Sequence, residues 1–245
     1  MFYSSIAQNY NYIFPKNRKQ LSFIKSIVEN RSLNKILDVG SATGNLTSLL
    51  KELSDNVYGI ELDSELISIA KKSVDASFFK LNMLDLESKF THDSFSLVVS
   101  FGNTLVHLGT LEEVKKYFIS IFNILETDGY FITQIINYDR VENENIKSLP
   151  TIENEKIKFV RDYSLVDEGR FVNFETELTI KEENRKVNGK IKLLTLKKRE
   201  IENLLLDVGF TNIKFYGDFN GGELKPFSVP LIFSCKKINK RESNV

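Results

Sequence analysis

Cysteine is nearly absent: Cys235 is the only one in 245 residues. A lone thiol excludes a disulfide within the chain and any zinc site built from several cysteines. Its apolar setting, Val229 to Cys235, predicts a buried structural thiol. Excess charge is absent too, because 33 basic residues balance 33 acidic ones. Enzymes acting on nucleic acids draw much of their affinity from a basic face that neutralises phosphate. Neutrality therefore counts against a nucleic-acid partner. No apolar run approaches the roughly 18 residues of a membrane span. Met1 to Tyr10 lack the basic segment and apolar core of a signal peptide. The expectation is a cytoplasmic protein without a membrane partner.

The chain is long enough for one large domain, or one domain with a substantial insertion. Up to about residue 138 apolar runs alternate with helical stripes. Ile36–Val39, Val57–Ile60, Ser77–Leu81, Phe95–Phe101 and Tyr130–Ile136 read as strands. Leu46, Leu49, Leu50 and Leu53 recur at helical spacing, as do Leu66, Ile69 and Ala70. Apolar residues at 111, 114, 118, 121 and 125 form another amphipathic stripe. Strands alternating with helices imply parallel pairing, hence an α/β fold with an open, doubly wound sheet.

The period then changes to two. Ile157, Phe159, Tyr163 and Leu165 share one parity; Val172, Phe174, Leu178 and Ile180 share another. Glu168-Gly169 can turn these runs into a hairpin, and Asn188-Gly189 is a second turn signal or a kink before Ile191–Leu196. Residues 139–196 are expected to form an inserted antiparallel β-sheet, on the acceptor side or at a subunit contact. Residues 1–138 would form the cofactor-binding core with an N-terminal cap. Residues 197–245 would supply the last helix, capped by Gly209, and a closing strand pair over Phe210–Tyr216 and Val229–Lys236. The tail Lys236–Val245 is polar and expected to fray.

The chemistry is concentrated in Ile36-Leu37-Asp38-Val39-Gly40-Ser41-Ala42-Thr43-Gly44-Asn45. A strand ends in a loop of small residues and leads into a helix. Gly40 and Gly44 let the backbone approach a ligand closely. A dinucleotide fingerprint laid on Gly40 would require glycines where Ala42 and Asn45 stand, which counts against a pyrophosphate. Asp38 suits an ammonium group better. Glu61, with Leu62 beside it, ends the second strand, where a carboxylate can accept bonds from both ribose hydroxyls. A bland alternative is that Glu61, Asp63 or Ser64 caps the next helix.

The loop resembles the first motif of class I S-adenosylmethionine-dependent methyltransferases, an acidic residue followed by G-x-G-x-G. Ala42 replaces the middle glycine, a departure expected to narrow the approach slightly without demanding a positive φ. Phe79-Lys80-Leu81-Asn82-Met83 resembles the third family motif. The resemblance implies that the Asn82 amide oxygen accepts from the adenine amino group while Met83 packs on the purine. Ser100-Phe101-Gly102-Asn103-Thr104-Leu105-Val106-His107-Leu108 resembles the segment facing the cofactor sulfur in glycine and sarcosine N-methyltransferases and related bacterial small-molecule enzymes. It lacks the N/D-P-P-Y tetrapeptide and an acidic cluster for magnesium. Phe2 to Tyr12 resembles the aromatic cap of the same group.

These resemblances imply a mostly parallel seven-stranded sheet, S-adenosyl-L-methionine as methyl donor, and a small-molecule acceptor methylated at nitrogen. The cofactor-binding candidates are Asp38, Gly40, Ser41, Ala42, Gly44, Glu61, Leu62, Asn82, Met83, Phe101, Gly102 and Asn103. His107 is the candidate general base, with a pKa expected in a useful range. Tyr10 would orient the acceptor or cover the methyl site. Lys16 or Arg18 could meet the methionine carboxylate. No metal is expected, and a monomer or homodimer fits equally. Methylation of RNA or protein, or S-adenosylmethionine binding without turnover, are the alternatives.

Overall fold

The computed structural model describes residues 2–29 and 31–238. Its centre is a seven-stranded sheet. The strands are β1 (Ile36–Val39), β2 (Val57–Glu61), β3 (Ser77–Lys80), β4 (Phe95–Ser100), β5 (Leu125–Ile136), β10 (Thr211–Tyr216) and β11 (Pro230–Lys236). They lie in the order β10-β11-β5-β4-β1-β2-β3. β1 to β5 pair in parallel, and β11 runs antiparallel to both neighbours. Every residue of β1 and β4 is buried, because helices cover both faces of a parallel sheet.

On one face Val114, Phe118 and Ile121 of α6 (Leu111–Ile124), with Ile201 and Leu205 of α8 (Lys198–Val208), pack with Val98, Phe131 and Phe233. On the other, α3 (Arg18–Val28) and α4 (Asn45–Leu50) set Phe23, Ile24, Leu46 and Leu50 against Leu97, Val99 and Ile132. Each such side chain, fully buried, contributes about 1.5–3 kcal/mol. The Thr110 hydroxyl accepts the Glu113 N–H at the start of α6, and Gly209 ends α8 at φ +106°.

A separate four-stranded sheet lies between β5 and α8. Its strands β6 (Ser148–Glu153), β7 (Ile157–Val166), β8 (Phe171–Ile180) and β9 (Arg185–Leu194) are antiparallel in sequence order. Asp167, Glu168 and Gly169, all at positive φ, make the expected hairpin turn. Asn188-Gly189 is neither turn nor kink. It pairs with Glu177 and Thr176 inside an unbroken ten-residue register, and the polar stretch Lys181–Asn184 makes the turn instead. A short helix, α7 (Tyr138–Asn143), enters this sheet and was not anticipated.

The N-terminal helices α1 (Phe2–Ile6) and α2 (Tyr10–Ile13) pack Ile6 and Ile13 against Ile157, Phe159, Leu178 and Ile180 of the second sheet. Cys235 is buried, as expected. The expected fraying does not hold at Lys236 and Lys237: Lys236 belongs to β11, and the Lys237 ammonium is buried and donates to Asp93 and to the Leu125 carbonyl. Residues 239–245 of that tail lie outside the described residues. Among the described residues no helix is long and apolar enough to cross a membrane.

Candidate active site

Strand order reverses between β1 and β4, and the carboxyl ends of strands at such a switch point form the natural ligand crevice of an open α/β sheet. Two adjoining cavities of about 880 and 330 Å³ open there. They share Tyr3, Tyr10, Gly40, Ala42, Phe101 and Gly102. The larger adds Asp38, Ser41 and Asn103; the smaller adds Glu61, Leu62, Met83 and His107. Gly44 and Asn82 line neither cavity.

The loop after β1 is held by backbone bonds: the Gly40 and Ser41 N–H groups both donate to the Ile60 carbonyl at 2.9 Å. Gly40 has φ +77°, and a Cβ there would meet the Thr104 hydroxyl at 2.4 Å. Gly44, at φ +81°, starts α4 and faces Val74 and Phe78. Its role is the turn into the helix. Ala42 corrects the sequence expectation, since it does adopt a positive φ of 46°. An L-residue there carries strain of about 1–2 kcal/mol. Ala42→Gly should relieve part of it and raise the unfolding free energy by about 0.5–1 kcal/mol, offset somewhat by the added freedom of the unfolded chain. Urea denaturation checks this, and a destabilised variant would contradict the strain.

Two carboxylates stand in this loop region. Asp38 is 2% exposed and accepts from the Thr47 hydroxyl at 2.6 Å. Burial, with the nearby negative charge of Glu61, pushes its pKa up to about 7 against the hydrogen bond to Thr47. Glu61 accepts from the backbone N–H of Ala42 (3.1 Å), Leu62 (2.7 Å) and Asp63 (3.1 Å). Burial raises its pKa as well, and among the described residues no cationic side chain stands among the causes that lower either group. Asp63, not Glu61, is the cap of α5 (Ser64–Ser73), accepting from the Glu65 and Leu66 N–H groups and from the Ser4 hydroxyl. The Ser41 hydroxyl is buried without a partner.

These features fit S-adenosylmethionine, whose ammonium would meet the buried Asp38 carboxylate and whose ribose hydroxyls could donate to Glu61. The orphaned Ser41 hydroxyl and the backbone cradle at Gly40 fit its amino-acid end. The adenine end fits less completely. The Asn82 amide oxygen already accepts the Leu84 N–H at 2.9 Å as the cap of a 3₁₀ turn over Met83–Ser88. Its second lone pair remains for a ligand. Met83 is buried and Leu62 is 45% exposed at the rim of the smaller cavity.

The segment after β4 is fixed against β5. Gly102 N–H donates to the Gln134 side-chain oxygen at 3.0 Å, and the Asn103 side chain accepts from Ile136 N–H and donates to the Tyr138 hydroxyl. Tyr138 in turn is hydrogen-bonded to Tyr163, whose pKa burial pushes up to about 12. His107 Nε2 lies 3.0 Å from the Tyr3 hydroxyl. The expected useful pKa of His107 is corrected, because burial without a compensating carboxylate drives it down to about 4. Burial raises the Tyr3 and Tyr10 hydroxyls well above the ordinary phenol range. His92 is on the surface beside Glu87, as expected. Lys16 and Arg18 both line the larger cavity, and Arg18 pairs with Glu52 at 2.9 Å.

Sequence reasoning missed Gln134, Arg161, Tyr163 and Phe174, which line the larger cavity. One signal was available: Arg161 interrupts the apolar parity of β7 between Phe159 and Tyr163.

Residues 36–129 match the family model described as a methyltransferase domain. Over 203 residues the chain is 26% identical to a glycine/sarcosine N-methyltransferase of Aphanothece halophytica, covering 80% of this chain and 73% of that protein. Among solved structures, an S-adenosylmethionine-dependent methyltransferase from Clostridium acetobutylicum superposes with a TM-score of 0.80 at 17% identity, covering 97% of this chain and 99% of the other. An amino pentose methyltransferase from Micromonospora echinaspora, solved with S-adenosylmethionine bound, gives 0.71 at 15% identity over 97% and 98%.

Proposed function

We propose that this chain, which belongs to the class I S-adenosylmethionine-dependent methyltransferases, methylates a small molecule at nitrogen. The donor's sulfonium supplies a methyl group that is already electrophilic, so the protein mainly aligns the acceptor and excludes water. In this reading Asp38 takes the donor's ammonium and Glu61 its ribose hydroxyls. Gly40, Ser41 and Ala42 give close backbone approach. Leu62 and Met83 flank the purine, and the remaining lone pair of Asn82 meets its amino group. Phe101, Gly102 and Asn103 border the transfer site.

The preference for nitrogen rests on the groups left to the acceptor among the described residues lining the cavities: with the Asp38 and Glu61 carboxylates assigned to the donor, His107 and the phenols remain, and none of these is basic enough to deprotonate an alcohol. His107 sits near 4, and the phenols hold their own protons tightly. A neutral amine needs no such base, and a desolvated cavity favours its neutral form. His107 then serves as a neutral acceptor that holds Tyr3 over the site, and Tyr10 covers the donor. The second sheet supplies the acceptor side through Leu149, Phe159, Tyr163, Phe174 and Leu193. The N-methyltransferase relative and the amino pentose neighbour support the same acceptor class.

A panel of amines, amino sugars and phenols tests the reading. The donor carries a ¹³C-methyl group, and S-adenosylhomocysteine release is measured with the product spectrum. N-methyl products are expected. A methyl on oxygen or carbon would overturn the nitrogen assignment.

A further inference from the structure

Arg161 stands apart from the other basic residues of the second sheet. Lys186, Lys190 and Lys192, on the other parity, pair with Glu177, Glu175 and Asp167, so Lys190, which borders the smaller cavity, already has its carboxylate. Arg161 shares the inner parity of β7 with Phe159 and Tyr163, in register with Leu149 of β6 and Thr176 of β8. No carboxylate pairs with it among the described residues. Its Nη2 donates to the Pro150 carbonyl at 2.5 Å, and its guanidinium lies 6.0 Å from the Phe159 ring centroid. Its Nε is buried with no hydrogen-bond partner. The side chain lines the larger cavity. A partly buried guanidinium stays charged at every accessible pH and offers five N–H donors in a planar fork. Leaving such a charge without an anion is costly, unless a ligand completes it.

The donor's own carboxylate is the first anion to weigh. It adjoins the ammonium assigned to Asp38, which bonds Thr47 of α4. The segment Phe14–Arg18 is tied to that same helix start, where the Asn45 side chain donates to the Phe14 carbonyl at 2.9 Å. Lys16 and Arg18 on that segment therefore flank the amino-acid end of the donor. Arg161 stands on β7 of the second sheet, two residues from Tyr163, which is hydrogen-bonded to the Tyr138 that accepts from Asn103 beside the proposed transfer site; Phe159, under its guanidinium, packs against Phe14 of that segment.

We propose that Arg161 determines acceptor specificity by binding a carboxylate carried by the acceptor, which is therefore a small amine that is also an acid. This rests on the reading of the cavity as the acceptor site of a small-molecule N-methyltransferase. The planar fork matches a carboxylate bidentately, and Lys at this place would not reproduce the pair.

The test has two arms, each run on the wild type, Arg161→Met and Arg161→Lys. The first is calorimetry on the full chain saturated with S-adenosylhomocysteine, titrated with butanoate and with butanol. The wild type should bind butanoate and not butanol. Arg161→Met should weaken butanoate at least tenfold, Arg161→Lys should recover only part of it, and S-adenosylhomocysteine affinity should stay unchanged in all three. The second arm compares turnover of 4-aminobutanoate with 4-aminobutanol, where Arg161→Met should raise KM for the acid selectively. Loss of S-adenosylhomocysteine affinity in Arg161→Met would move the anion to the donor and overturn the proposal. So would failure of the wild type to prefer butanoate. If neither amine is methylated, the nitrogen reading is weakened, while the carboxylate titration still decides the role of Arg161.

Discussion

Gly102→Ala is expected to fold and yet to lose at least a hundredfold in kcat/KM, with S-adenosylhomocysteine affinity reduced in parallel. Gly102 has φ +75°, so a side chain there adds backbone strain of about 1–2 kcal/mol. A Cβ at this position would meet no protein atom within 4 Å. The protein interior therefore does not require glycine here. The open volume belongs to both cavities, at the end of β4 where Gly102 N–H is locked onto Gln134. A methyl group in that space displaces donor or acceptor, and a misplacement of about 1 Å can cost a hundredfold in rate. Gly40 behaves differently, because its added Cβ would collide with Thr104 and damage packing itself. Thermal melting and calorimetry on Gly102→Ala separate the two effects. A folded variant with wild-type affinity and turnover would place the ligands elsewhere.

Glu61→Ala should weaken S-adenosylhomocysteine by about 3 kcal/mol, roughly a hundredfold in Kd, through loss of charge-assisted bonds to the ribose. The same carboxylate ties down three backbone N–H groups, Ala42 in the loop after β1 and Leu62 and Asp63 after β2. Their release should also lower the melting temperature, since unsatisfied donors cost free energy even when partly hydrated. Glu61→Gln keeps one acceptor oxygen and should fall between wild type and Ala on both measures. A folded Glu61→Ala protein that binds with wild-type affinity would remove the ribose assignment. A protein with lowered melting temperature but intact affinity would reduce Glu61 to a loop brace.

The side of the cavities around Gly40 and Glu61 was legible because it is local in sequence. A strand, a small-residue loop and a helix follow one another from Ile36 to Leu50, and Glu61 ends the next strand, so topology alone brings them together. The period-two runs likewise gave β7 and β8 and the turn at Glu168-Gly169. Properties set by three-dimensional surroundings were not legible. The positive φ of Ala42 follows from the bonds that fix Gly40, Ser41 and Gly44 around it. The low basicity of His107 follows from burial that no neighbouring residue in the chain announces. Asn188-Gly189 carries a strong local turn preference, but ten cross-strand pairs override it. The wall of the larger cavity formed by the second sheet was the least visible, because its side chains come from four strands and meet others from the N-terminal helices.

The pH dependence of S-adenosylhomocysteine binding tests most directly the proposal that the buried Asp38 carboxylate receives the donor's ammonium. The pKa of Asp38 is raised to about 7 in the free protein. Its protonated form thus favours the empty fold: that contribution is complete below the ordinary carboxylate value near 3.8 and is lost as pH rises through 7. The ligand's ammonium requires the ionised form. Calorimetry from pH 5 to 8.5 in buffers of different ionisation enthalpy should show affinity falling about tenfold per pH unit below 7, with up to one proton released on binding there and little dependence above. Asp38→Asn should flatten that profile and bind more weakly at pH 8. Affinity independent of pH, with no proton released, would contradict the pairing of Asp38 with the donor.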